Sequence, residues 1–279
     1  MIGAHLQQCA SGAFPSEVAG LSDENCFVTA TVSLLLDPHR HDAALARALD
    51  FIESCESPSM PGAFAFYPAH GAALRRVDGL PPDADDTSLA WLALLHGKRR
   101  TENLARAAFE QVIGPASHRL VAGSTPGWVR PYAVRTWLAD CMPDNPVDLA
   151  VNANVAALGH RLRMSAHPAC EGAVASILAA ARGAYPPGAF ARRLTPYYAD
   201  ISELWFCVRR AIDCGAERLS AALPWLQPVI SGDAYRNEKP LYCNDHGMPI
   251  WRSPVLQDAR RRLDANYSRF QPSRERSTQ

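Results

Sequence analysis

Helices that are apolar on every side alternate along this chain with helices that are apolar on one side only. Five segments have apolar residues all round, and they span residues 24–36, 86–96, 148–162, 199–213 and 253–263. Four segments between them are amphipathic, and they span residues 43–54, 102–113, 171–182 and 216–230. The first pattern is typical of helices buried between other elements, and the second of helices covered on one side. The alternation therefore predicts an all-α protein with an inner and an outer layer of helices.

The alternation repeats every ~50 to 60 residues, which favours an array of stacked helical hairpins. Loops rich in Pro, Gly and aromatic residues recur between the helices, at residues 61–68, 126–132, 186–190 and 196–198. Strand signals are almost absent. We expect one domain over residues 14–265, followed by a polar, disordered tail over residues 266–279.

The charge balance argues against a polyanionic or membrane partner. Lys plus Arg and Asp plus Glu both number 28, so no net field steers the protein to nucleic acid or to an anionic membrane. The longest apolar run, Phe27 to Leu36, falls short of the roughly 20 residues that span a bilayer, so no transmembrane segment is expected. The eight cysteines contain no CxxC pair and no secretory leader is evident, so we expect reduced thiols in a cytoplasmic protein.

The densest group of acidic residues lies at the start of one buried helix. Asp83, Asp85 and Asp86 follow two prolines and precede the apolar run of residues 87–95. Asp is a favoured N-cap, and acids in the first turn complement the helix dipole, so capping accounts for one or two of the three. Three carboxylates within four residues repel one another unless one keeps its proton, and a retained proton is what an acid catalyst requires.

The sequence Asp83-Ala84-Asp85-Asp86-Thr87 resembles the DxDD(T) motif of class II terpene cyclases. The resemblance implies an α/α toroid fold and a reaction that begins by protonating an alkene or epoxide. By position, Asp85 is implied as the general acid, with Asp83 and Asp86 holding its geometry and protonation state. No cofactor is implied for protonation, and Mg²⁺ is expected only if the substrate carries a diphosphate.

A carbocation formed in this way needs a dry pocket with aromatic walls. The segments 148–155 and 242–254 also resemble toroid proteins with prenyltransferase or squalene-oxidase repeats. The candidate substrate-binding residues are Phe66, Tyr67, Trp91, Asn152, Asn154, Tyr197, Tyr198 and Trp251. Core packing explains most of the rings equally well, and the two asparagines could bond the acid, cap their helix or satisfy loop carbonyls.

The chain departs from the family in length. Cyclases of this class usually bind substrate between two helical domains, and 279 residues leave no room for the second one. The repeats typical of triterpene cyclases are not apparent. The expected substrate is therefore a short prenyl chain or a prenylated small molecule. A homodimer is one way to replace the part of the substrate site that the second domain supplies, and altered chemistry is the other possibility.

Three rival interpretations remain open. A zinc-dependent prenyltransferase site could combine Asp233, Cys243, Asp245 and His246, but their spacing matches no known ligand pattern, so we predict no zinc. An (α/α)-barrel glycoside hydrolase would pair the cluster with Glu17, Glu24, Asp148, Asp200 or Glu203. A helical-repeat binding module would use the aromatic loops alone. A diphosphate would be indicated by arginines at a cavity, with candidates Arg130, Arg135, Arg192, Arg193 and Arg252.

Overall fold

Helices and one small sheet make up the regular structure of the protein. The computed structural model describes residues 7–70, 80–117, 125–139, 145–183, 185–198, 200–230, 240–243 and 249–270. The helices in these ranges are α1 (Cys26–Leu34), α2 (Asp42–Ser54), α3 (Ala84–His96), α4 (Glu102–Ala108), α5 (Leu149–Arg161), α6 (Pro168–Arg182), α7 (Pro187–Leu194), α8 (Ser202–Asp213), α9 (Leu223–Leu226) and α10 (Pro254–Phe270). The strands are β1 (Pro15–Val18), β2 (Leu21–Glu24), β3 (Tyr242–Cys243) and β4 (Pro249–Arg252).

The predominantly helical class predicted from the apolar pattern is confirmed, and each predicted segment contains a helix. The segment at 102–113 becomes α4 and then a π-helical turn over Phe109–Ile113. The segment at 216–230 divides into a 3₁₀ helix over Glu217–Ala222, α9, and a 3₁₀ turn over Gln227–Val229. Pro224 and Pro228 explain this division, because a proline nitrogen cannot donate the helical hydrogen bond.

Five helices, α1, α3, α5, α8 and α10, are joined by contacts between neighbours. Helix α1 contacts α3, α3 contacts α5, and α5 contacts α8. Helix α10 contacts α1, and an ion pair between Arg260 and Glu203 joins it to α8. Helix α2 packs on α1 and α3, α6 packs on α5, and the 3₁₀ helix after α8 packs on both α6 and α8. Helices α1, α3 and α5 are buried on nearly every side, which explains their apolar pattern, whereas α8 and α10 are each buried on one side only.

The sequence interpretation missed a four-stranded antiparallel sheet with the order β2-β1-β4-β3. Strands β1 and β2 form a hairpin through Ala19 and Gly20, whose φ angles of 51° and 78° are those of a tight two-residue turn with right-handed twist. Strand β1 also pairs with β4, where Glu17 lies opposite Arg252. These strands are too short to show a clear alternation, and their pairing joins distant parts of the chain.

Three other expectations concern the chain end, the membrane and the thiols. Helix α10 continues to Phe270, into the segment predicted as a tail, and residues 271–279 lie outside the described ranges. In the ranges that the structure describes, no helix has the length and apolarity needed to cross a bilayer. The described cysteines are free thiols, and four of them are buried: Cys26, Cys55, Cys170 and Cys207.

Candidate active site

The acidic segment caps α3 and then turns into the protein interior. Asp83 has the extended conformation of an N-cap residue, and its Oδ1 accepts a hydrogen bond from the Asp86 amide at 2.7 Å. The capping explanation therefore holds for Asp83. Asp85 and Asp86 lie in the first turn, where capping needs neither of them, and both are buried.

Asp85 is held by two neutral donors from other inner elements. Asn154 of α5 donates from Nδ2 to Asp85 Oδ1 at 2.6 Å, and the Tyr198 hydroxyl donates to Asp85 Oδ2. Arg210 of α8 donates to Asn154 Oδ1 at 2.5 Å, so a guanidinium group lies one residue behind the acid. Asp85 as a whole is buried, with about 8% of its surface accessible.

Burial raises the pKa of every carboxyl in the cluster. The pKa of Asp83 rises to about 7 through burial and the charge of Asp85. Burial and the charge of Asp83 place the pKa of Asp86 well above its ordinary value. The pKa of Asp85 is also raised by burial, although the hydrogen bonds from Asn154 and Tyr198 and the charge of Arg210 act in the opposite direction. The cluster therefore keeps a proton at neutral pH.

Asp86 faces a sparsely polar part of the core. Its Oδ1 is buried and has no hydrogen-bond partner among the described residues. The thiol of Cys26 at the start of α1 is close enough for its charged form to raise the pKa of Asp86 further. Ionised Asp86 would have little to compensate it here, so the neutral carboxyl is the favoured form.

A fourth carboxyl, Asp148, lies near the cluster at the start of α5. Its Oδ1 accepts hydrogen bonds from the Ala150 amide at 2.7 Å and the Val151 amide at 3.3 Å, and its Oδ2 accepts from the Tyr197 amide at 3.3 Å. Burial and the charge of Asp85 raise the pKa of Asp148 to about 7. Asp148 thus positions Tyr197 and contributes to the field at Asp85.

The two asparagines of α5 have different partners. Asn152 Oδ1 accepts from the Val134 amide at 2.9 Å, and its Nδ2 donates to the carbonyls of Val134 at 2.9 Å and Asp148 at 2.8 Å. These bonds tie a loop to the helix and leave Asn152 turned away from the acid. Of the two asparagines, Asn154 is the one that bonds Asp85.

The aromatic residues predicted to bind substrate lie in separate groups. Tyr198 packs against Phe27 at 5.8 Å between ring centroids and bonds Asp85. The hydroxyl of Tyr197 accepts a hydrogen bond from the Trp137 indole at 2.8 Å. Tyr198 is thus the candidate ring that contacts Asp85 directly, whereas the hydroxyl of the adjacent Tyr197 is bonded to Trp137.

Phe66, Tyr67 and Trp251 form a second group beside the sheet. Phe66 lies edge-on to Tyr67 at 4.8 Å and to Trp251 at 5.8 Å between ring centroids. The Tyr67 hydroxyl donates to the buried Asp23 at 2.7 Å. This group adjoins the start of α1, since the Cys26 amide donates to the Phe66 carbonyl at 2.8 Å. Helix α1 therefore connects these rings to the acidic cluster.

Trp91 lies away from both groups. Its indole donates to the Gly62 carbonyl at 2.8 Å, Phe64 packs edge-on against it at 5.9 Å, and Arg100 lies over its ring at 5.6 Å. These are the contacts of a packing residue, and none of them is with Asp85 or with the rings beside the sheet. On an apolar helix the sequence does not distinguish the inward from the outward face.

The carboxylates proposed for a glycoside hydrolase do not face Asp85 as free groups. Glu203 is held by Arg260 at 2.7 and 2.8 Å, Glu17 is paired with Arg252 at 2.8 Å, and Asp148 caps α5. In the part of the chain that the structure describes, no three His, Cys, Asp or Glu side chains form a group that could hold a metal. Asp233, Asp245, His246 and the Cys243 side chain lie outside the described residues.

Sequence reasoning missed Arg210, the cation whose charge acts on the acid. The arginines predicted to mark a diphosphate have other contacts. Arg130 bonds the Gly127 carbonyl at 2.6 Å, Arg193 lies over the Phe190 ring at 5.8 Å, and Arg252 pairs with Glu17. The signal that was available is a pair of arginines, Arg209 and Arg210, inside a segment predicted to be apolar on every side.

Comparison with family models and with curated proteins finds no match. Among solved structures, the chain is similar to a crystal structure of a protein from Actinoplanes, with a TM-score of 0.47 and 17% sequence identity. The alignment covers 81% of this chain and spans 63% of the length of that protein. A likeness this distant says nothing about what the present chain does.

Proposed function

We propose that the protein is a proton-initiated cyclase or isomerase of the class II terpene cyclase type, acting on a short prenyl chain or a prenylated small molecule, with Asp85 as the general acid. The observation that carries the proposal is the setting of Asp85. Its carboxyl is buried, burial raises its pKa, and two neutral donors contact its oxygens and stabilise the carboxylate that remains after proton transfer. A strong acid kept neutral until it is used requires such a setting.

The reaction begins when Asp85 transfers its proton to one carbon of a double bond. The π-electron pair becomes the new C–H bond, and the other carbon carries the positive charge. Tyr198 and Asn154 stabilise the carboxylate that remains, and the charge of Arg210 adds to this effect. Loss of a proton from a neighbouring carbon returns the cation to a neutral product and supplies a proton to restore the acid.

The fold proposed for this enzyme is an α/α toroid. Its inner ring would consist of α1, α3, α5, α8 and α10, and the contacts from α1 through α8 and from α10 back to α1 support this arrangement. Helices α2 and α6 would belong to the outer ring. In this arrangement Asp83, Asp85 and Asp148 lie at the starts of two neighbouring inner helices, whose dipoles stabilise a carboxylate.

Magnesium is not needed for the proton transfer. Asp83, Asp86 and Asp148 favour their protonated forms near neutral pH, and protonated carboxyls are poor metal ligands. We therefore assign any magnesium requirement to a diphosphate on the substrate.

The test is incubation with geranyl, farnesyl and geranylgeranyl diphosphate, with and without magnesium, followed by mass spectrometry of the extracted products. We expect a cyclised or isomerised product from the wild type and near-background turnover from Asp85→Asn, because a general acid contributes ~10²- to 10⁴-fold. Asp258→Asn is the matched control, since Asp258 lies half-buried on α10 and pairs with Arg262. Full turnover by Asp85→Asn would refute the proposed mechanism.

A further inference from the structure

A pocket of about 360 Å³ opens at the opposite end of the inner helices from Asp85. Asp85 lies in the first turn of α3, whereas the pocket is bordered by residues from the last turns of α1, α3 and α8. Its walls are formed by Thr31, Leu34, Leu35, His96, Trp205, Phe206, Arg209, Arg210, Asp213, Cys214 and Arg260. This volume is in the range of small-molecule sites, ~300 to 1,000 Å³.

The pocket is positively charged. Three arginines line it against one carboxylate, Asp213. The charge of Arg260 is neutralised by Glu203. Arg209 lies over the Trp205 ring at 4.9 Å, and Arg210 bonds the neutral side chain of Asn154. Among the described residues neither Arg209 nor Arg210 forms an ion pair, so both guanidinium groups are available to an anion.

The remaining wall combines apolar surface with one unsatisfied hydroxyl. Leu34, Leu35, Trp205 and Phe206 supply the apolar part. The Thr31 hydroxyl is buried and has no partner among the described residues. Because this hydroxyl oxygen is fully buried, the surface that this wall offers to a ligand is apolar.

We infer that this pocket binds an amphipathic small molecule, whose phosphate or diphosphate head contacts Arg209 and Arg210 and whose apolar chain lies along the leucines and rings. Guanidinium groups bind phosphate oxygens through paired hydrogen bonds, and aromatic stacking holds Arg209 in place for this. Through Asn154, Arg210 also connects the pocket to Asp85. Asp85 does not line this pocket, so the inference concerns a second ligand site and does not rest on the proposed reaction.

The experiment is calorimetric titration with farnesyl diphosphate, farnesol and inorganic diphosphate, at low and at high ionic strength. We expect farnesyl diphosphate to bind at least ~10-fold more tightly than either of the others, and its affinity to fall as salt is added. Arg209→Met should weaken the binding of farnesyl diphosphate ~10-fold or more and leave the affinity for farnesol unchanged. The affinity of Arg209→Lys for farnesyl diphosphate should lie between those of the wild type and Arg209→Met. Arg218→Met is the control, since Arg218 is exposed and paired with Glu171.

Equal affinity of wild type and Arg209→Met for farnesyl diphosphate, with both proteins folded by circular dichroism, would overturn the inference. Equal affinity for farnesyl diphosphate and farnesol, or for farnesyl diphosphate and inorganic diphosphate, would overturn it as well. Asp85→Asn separates the two proposals. If farnesyl diphosphate binding depends on Arg209 but Asp85→Asn keeps full turnover, only the acid mechanism is contradicted. If turnover depends on Asp85 but farnesyl diphosphate binding does not depend on Arg209, only the ligand site in the pocket is contradicted.

Discussion

The hydroxyl of Tyr198 donates a hydrogen bond to Oδ2 of Asp85 across 113 residues of sequence. This bond lowers the pKa of Asp85 against the effect of burial. In Tyr198→Phe the pKa of Asp85 should therefore rise, which makes it a weaker acid that stays protonated to higher pH. We expect turnover to fall ~10-fold, and the alkaline limb of the pH–rate profile to move upward.

Tyr197→Phe is the neighbouring control for this variant. The Tyr197 hydroxyl accepts a hydrogen bond from the Trp137 indole, so its removal should affect stability and leave the pH–rate profile in place. Identical pH–rate profiles for Tyr198→Phe and the wild type would show that the bond to Asp85 plays no part in turnover.

Stability should decrease as pH rises through neutrality. Asp83 and Asp148 have a pKa of about 7 in the folded protein, against ~3.9 in an unfolded chain. The folded state therefore keeps protons that the unfolded state releases, and this stabilisation, complete below pH ~4, is lost as pH rises through about 7. We expect a higher melting temperature at pH ~5.5 than at pH ~8.

Asp148→Asn isolates one of these groups. Asparagine caps a helix about as well as aspartate, so the variant should lose the pH dependence of that group without losing the cap. At pH ~8 it should be more stable than the wild type by ~2 to 4 kcal/mol, since each unit of pKa shift corresponds to ~1.4 kcal/mol. Thermal melts from pH ~5 to ~8.5 measure this, and a slope as steep as that of the wild type would contradict it.

The asparagines of α5 provide a matched pair of variants two residues apart. Asn152→Ala leaves the Val134 amide and the carbonyls of Val134 and Asp148 without their partner, and should cost ~2 to 4 kcal/mol in urea unfolding. Its turnover per folded molecule should remain near that of the wild type. Asn154→Ala removes the donor to Asp85 and should lower turnover ~10-fold or more. The reverse pattern would mean that Asn152 belongs to the site.

The ion pair between Glu203 and Arg260 should act as a unit. Both side chains are buried, and Glu203→Met leaves a buried guanidinium without its counter-charge, at a cost of ~3 to 5 kcal/mol. The double variant Glu203→Met, Arg260→Leu should recover most of this loss, because well-packed apolar residues avoid the desolvation of both ions. Chemical unfolding of the wild type, both single variants and the double variant completes the cycle, and strictly additive losses would exclude coupling.

Helices α1, α3 and α5 could be predicted because burial on all sides leaves a direct trace in the sequence. The capping role of Asp83 was also predictable, since it needs only the local chain. Asn154 and Tyr198 were candidates, but the sequence left open whether either bonds Asp85, and Arg210 was missed, because these residues come from α5, from the segment before α8 and from α8 itself. An all-apolar sequence does not show which face of α3 lies toward these residues. For the same reason the sequence could not separate Trp91 from the residues around Asp85. The hairpin β1–β2 carried a readable signal in Ala19-Gly20, whereas the pairing of β1 with β4 carried none.

That pairing brings together residues as far apart as Glu17 and Arg252, which are 235 positions apart. In an open stack of hairpins each terminal unit has one neighbour and can fray by itself. Here the first and last helices contact each other and their strands share a sheet, so neither end can separate without breaking the other. Such long-range contacts give the chain a high contact order, which slows folding and makes the transition cooperative. Deleting β4 would therefore loosen both of these regions, where the loss of a terminal unit from a linear repeat protein would affect one neighbour.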